Sequence, residues 1–144
     1  MLFRVEKLIR DGLPQMMRDQ GLTVFSHRLG DAAFLAALKA KLLEEAQEVA
    51  AAAPDGLVDE LADVAEVMGA LIIAAGLTPE AVEAARLAKR AQRGGFEGRI
   101  YNRAVEGEDG AAGVAYYLAR PDQYPPLPDD SVPCDTPAPK LSID

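Results

Sequence analysis

Apolar residues recur at helical spacing through most of the first hundred positions. Leu35, Leu38, Leu42, Ala46 and Val49 form one stripe, and Leu57, Leu61, Val64, Met68, Leu71 and Ala75 form a second. Breaks fall where helices end. Leu13 to Gln20 reads as a short helix with Pro14 in its first turn and Gly21 as its stop. Asp31 is a candidate cap for a long helix over Ala32–Ala53, and Pro54-Asp55-Gly56 interrupts it. Asp55 can cap a further helix over Leu57–Ala75, which Gly76 stops. Thr78-Pro79-Glu80 then restarts a helix that runs to about Gln92, before Gly94-Gly95.

Two segments have a different pattern. Leu22 to Leu29, with Thr23, Val24 and Phe25, has strand-like composition, as does Val114 to Leu118, so the two are expected to pair. Residues 105–144 hold 8 of the 23 acidic residues, 2 of the 15 basic ones and 7 of the 10 prolines. This divides the chain into a helical domain, 1–104, and an acidic Pro-rich extension, 105–144. The extension also holds three of the four tyrosines. Val114 to Tyr124 is therefore expected to pack on the helical core across a dimer, with residues beyond about Asp129 held weakly. The predicted class is all-α, a helical bundle completed by dimerisation, with a small extended segment and a Pro-rich tail. Dimerisation is expected because Val58, Val67, Ala70 and Ala74 put apolar surface on more than one side of a single helix.

Composition narrows the chemistry. The net charge is −8, which argues against binding a nucleic-acid polymer, where Lys and Arg neutralise phosphates. One cysteine, Cys134, and one histidine, His27, leave no Cys-based zinc site and no paired-His site. A bound metal must be held by oxygens, which suits Mg²⁺, with Mn²⁺ as the alternative. The longest apolar run, Val67 to Leu77, is short of a membrane span, and residues 1–6 carry no secretory pattern. A cytoplasmic protein without membrane attachment is the expectation.

The acids fall in two i, i+3 pairs, Glu45/Glu48 and Glu60/Asp63. On ideal helices Glu45 lies roughly 50° from the centre of its apolar stripe and Glu48 about 60° further round. Glu60 and Asp63 lie about 70° and about 130° from theirs. Antiparallel helices joined by a short loop bring both pairs to one end of the bundle. Four carboxylates there repel, and a divalent cation offsets the repulsion. A solvated acidic face has the same spacing, and Glu44, Asp59 and Glu66, which point outward, fit it. Arg86, Lys89, Arg90 and Arg93 read equally as a basic helix end or as a phosphate grip. Lys7 and Arg10 are open to the same two readings.

Glu45-Ala46-Gln47-Glu48, 11 residues, then Glu60-Leu61-Ala62-Asp63 resembles the ExxE…ExxD signature of the MazG-like nucleotide pyrophosphohydrolases. Lys7-Leu8-Ile9-Arg10-Asp11 with Leu13-Pro14 resembles the opening of the branch related to phosphoribosyl-ATP pyrophosphohydrolase. Lys89 and Arg93-Gly94-Gly95-Phe96-Glu97 through Arg99-Ile100 resembles its ending. The likeness spans residues 6 to about 101 and departs at Gly12, where relatives often carry a basic residue. It implies an all-α homodimer or tetramer that uses Mg²⁺ to cleave a nucleoside triphosphate into its monophosphate and pyrophosphate. By position, Glu45, Glu48, Glu60 and Asp63 would hold the metal and serve catalysis, with Lys7, Arg10, Lys89 and Arg93 on the substrate. House-cleaning of non-canonical nucleotides is the leading expectation. Phosphoribosyl-ATP hydrolysis in histidine synthesis is the second. A third is a non-catalytic helical dimer whose Pro125-Pro126-Leu127-Pro128 run binds a partner.

Overall fold

A computed structural model of the chain describes residues 1–128. The expectation for the segment beyond Asp129 lies outside the described residues. Five helices occur among them and no strand: α1 Leu13–Asp19, α2 Asp31–Ala51, α3 Leu57–Ala74, α4 Pro79–Arg93 and α5 Ala112–Leu118. The chain forms two compact units. One comprises Met1–Gly94, and the other, among the described residues, comprises 95–128. No single helix among the described residues is long and apolar enough to cross a membrane.

Local chemistry sets the helix ends. Gly21 and Gly76 take φ of +86° and +70°, a conformation open to glycine at little cost. Both close their helices in the same way. Gly76 N–H donates to Ile73 O and Leu77 N–H to Ile72 O, each at 2.9 Å; Gly21 and Leu22 repeat this with Arg18 and Met17. Thr78 caps α4 as expected, its hydroxyl accepting from Ala81 N–H at 3.1 Å. Two expected caps are displaced by one residue: Gly30 and Gly56 occupy the cap positions of α2 and α3. Asp31 instead stands in the first turn of α2, where its charge meets the positive end of the helix dipole.

In the first unit α2 and α3 pack side by side as a hairpin, and α4 leaves α3 at a bend of 112°. α2 turns its stripe inward, with Leu35, Leu38, Leu42 and Val49 all at least partly covered, whereas α3 presents a different flank from the one its stripe suggests. On α3 the buried Val67 and the partly covered Glu60, Asp63, Val64, Ala70, Leu71 and Ala74 face inward. Val58, Leu61 and Met68 stay 75%, 49% and 43% exposed. On α2, Leu38 and Glu45 are buried while Ala46 is exposed. The covered flank of α3 is thus the one that carries Glu60 and Asp63.

The strand pairing is not formed. Leu22–Leu29 has no regular secondary structure, and Val114–Leu118 lies within α5. A lone strand leaves its backbone groups unpaired, whereas a helix satisfies its own. The helical turn also brings Arg120 next to Tyr116, four residues earlier. The guanidinium sits 4.1 Å from the ring centroid and donates to the Tyr116 carbonyl at 2.9 Å. Tyr116, Tyr117 and Tyr124 pack together with centroid separations of 5.1 to 5.9 Å. Residues 125–128 have no regular secondary structure.

Candidate metal centre

The flank that α3 turns inward brings its carboxylates to Glu45 of α2. Glu45, Glu60 and Asp63 each offer an oxygen, and these oxygens all lie within 4.8 Å of one another. Glu48 is exposed on α2, near enough for its charge to act on Glu60. A recess of about 200 Å³ adjoins the group, lined by Leu8, Ile9, Arg10, Leu13, Lys41, Glu45, Glu48 and Asp63.

Glu45 is 4% exposed, a rare position for a carboxylate. Its Oε1 meets Lys41 Nζ at 2.7 Å, while its Oε2 is buried with no hydrogen-bond partner. A buried carboxylate oxygen without a donor is costly, and a cation coordinated there would satisfy it. Three converging carboxylates, one of which also carries an orphaned buried oxygen, fit a magnesium-like ion.

Lys41 also reaches Glu44 Oε1 at 3.2 Å, and Lys7 meets the same oxygen at 2.7 Å. Arg10 ion-pairs with Asp63. These contacts shift ionisation. Burial, then repulsion from Glu48 and Asp63 and the Glu48 hydrogen bond, raise the Glu60 carboxyl above the ordinary range. The Lys7 hydrogen bond, reinforced by Lys41, outweighs burial and lowers Glu44. Burial pulls Lys41 down, but Glu45 and Glu44 together outweigh it and raise the ammonium.

Of the four acids expected at the site, Glu45, Glu60 and Asp63 are brought together and Glu48 stands beside Glu60. Lys7 pairs with Glu44 and Arg10 with Asp63, while both basic side chains stay more than half exposed. Lys89 and Arg93 are exposed on α4 and do not line the recess. Arg86 is engaged by Glu83 through two hydrogen bonds of 2.7 and 2.8 Å. The expectation that Glu44 points into solvent is corrected by its two lysine partners. Lys41 was missed, although its i, i+3 and i, i+4 spacing to Glu44 and Glu45 signals it. Leu8, Ile9 and Leu13 stand in the opening motif, where the resemblance gives them no role.

No family model matches the chain, and no curated protein or solved structure matches it either.

Proposed function

We propose that the chain is a Mg²⁺-dependent nucleoside triphosphate pyrophosphohydrolase that acts on non-canonical nucleotides as a homodimer. The observation that carries this reading is the convergence of Glu45, Glu60 and Asp63, with one oxygen of the buried Glu45 left orphaned. Those three carboxylates, with Glu48 at the edge, would hold the ion. When bound, it would neutralise phosphate charge and lower the pKa of an attacking water.

The remaining work falls to the chain. Water adds to one phosphorus of the α–β phosphoanhydride, the bridging P–O bond breaks, and nucleoside monophosphate and pyrophosphate leave. A carboxylate at the margin of the group takes the water's proton. Glu48 suits that task, because it lines the recess and is not one of the three converging acids. Lys89 and Arg93, one turn apart on α4, would meet phosphate oxygens. The recess of about 200 Å³ is smaller than the roughly 300–1,000 Å³ usual for a small-molecule pocket. It suits an ion and phosphate oxygens, so the nucleoside must bind outside it.

The test is pyrophosphate release from a panel of canonical, modified and phosphoribosylated nucleotides, with Mg²⁺, with Mn²⁺ and with chelator. Metal-dependent release that is lost in Asp63→Asn is expected. No release from any nucleotide, or wild-type turnover in Asp63→Asn, would overturn the reading.

A further inference from the structure

Three cations surround the acidic group, and they are held differently. Lys41 belongs to α2, is 23% exposed, and pairs with Glu45 one turn away on its own helix. Lys7 pairs with Glu44, which is outside the converging triad. Arg10 alone reaches the triad from a distant part of the chain, 53 positions from Asp63. It lies in the stretch before α1, which has no regular secondary structure, and its contact is open, with Arg10 54% and Asp63 40% exposed. Leu8 and Ile9 anchor this stretch as partly covered residues of the recess wall. The guanidinium can therefore leave Asp63 without the segment leaving the protein.

We propose that Arg10 is a built-in counter-ion of the recess, which competes with a divalent cation for Asp63, so that cation loading and the Arg10–Asp63 pair oppose each other. This rests on the reading of the triad as a cation site. The physical basis is charge. The acids cluster too closely to remain uncompensated, and Arg10 supplies a positive charge at Asp63 while the cation is away. A dication on the same carboxylate meets that guanidinium as a like charge at short range. Coupling between two such ligands is reciprocal: each weakens the other by the same factor. The orphaned Glu45 Oε2 is the second attraction for the dication, and Arg10 does not touch it.

The experiment titrates the full-length chain with Mn²⁺ alone and follows free Mn²⁺ by electron paramagnetic resonance. Arg10→Gln should bind Mn²⁺ at least about fivefold tighter than wild type, the lower end of usual coupling. Arg10→Lys, which keeps the charge, should move back toward wild type. Glu45→Gln should lose the binding. A second arm uses wild type only. Trypsin must take the Arg10 guanidinium into its own pocket, so Mn²⁺ should speed cleavage after Arg10 relative to cleavage elsewhere. If wild type binds no Mn²⁺, or Glu45→Gln binds as well as wild type, the cation site falls and this proposal with it. If wild type binds through Glu45 but Arg10→Gln binds equally or more weakly, or Mn²⁺ leaves cleavage after Arg10 unchanged, the cation site stands and the proposal is overturned.

Discussion

Glu60 is a residue whose ionisation works against the fold. Its carboxyl keeps its proton to higher pH in the folded chain than in the unfolded one, because it is partly covered and faces Glu48 and Asp63. The folded state binds more protons in that window, so stability without metal falls as pH rises through it. Glu60→Gln should remove that slope, raise the melting temperature in chelator at neutral pH, and abolish Mg²⁺-dependent hydrolysis. Calorimetry across pH and a pyrophosphate assay check the two halves. Lys41 has the opposite role. It is the donor for a buried carboxylate that already has one orphaned oxygen, so Lys41→Met leaves Glu45 with less compensation still. A loss of about 1–3 kcal/mol is expected in chemical denaturation. Saturating Mg²⁺ should recover part of it, since a ligand that binds only the folded state stabilises it. Glu45 was legible as a candidate from its spacing. Its burial follows the same spacing, which puts it nearest of the four acids to the stripe that α2 turns inward, whereas its grouping with Glu60 and Asp63 depends on which flank of α3 meets α2.

At the scale of elements, α3 has two apolar flanks and one neighbour of comparable contact. Its Val67–Ala70–Ala74 flank lies against α2, which leaves Val58, Leu61 and Met68 on another side. Ideal spacing puts those three within roughly 80° of one another, a continuous strip. A second copy of the chain covering this strip is the expected arrangement. Wild type should run as a dimer by light scattering at micromolar concentration, and Leu61→Glu should shift it to monomer. A monomeric wild type would contradict the expectation. On α4 the issue is the role of an exposed basic end. Arg93→Ala should weaken substrate binding by about 1.5–3 kcal/mol, the scale of a hydrogen bond to a charged group. That is at least about a tenfold rise in KM where KM reflects binding. An unchanged KM would leave Arg93 as a solvated residue that complements the helix dipole.

For the molecule as a whole, few described residues are buried: Leu38, Val67 and Glu45. Two of the three are apolar and the third is a carboxylate of the candidate metal centre, so the most buried positions of the helical hairpin include one of the converging acids. Charge has the same distribution. The compensation for the acids comes from Lys41 within α2 and from Lys7 and Arg10 before α1, ahead of the hairpin in sequence. Metal removal should therefore cost the protein less than a fully dedicated site would, since resident cations take over part of the neutralisation. Thermal unfolding with and without chelator checks this, and Arg10→Gln should widen the difference between the two conditions.

The sequence by itself placed the ends of α1 to α4 to within about two residues, because those signals are local. Gly21, Gly76, Pro54 and Thr78-Pro79 each act within a few residues of themselves. It also singled out the acids, since i, i+3 spacing keeps each pair on one side of its helix whatever the helix packs against. Tertiary structure decided which side is inside. With two apolar flanks on α3, the periodicity points between them, and only the contact with α2 selects the one that carries Glu60 and Asp63. Tertiary structure also made the pair between Arg10 and Asp63, 53 positions apart, a distance over which no sequence periodicity extends. Val114–Leu118 shows the converse. Strand-like composition counts only where another strand accepts its hydrogen bonds, and without one the segment forms a helix.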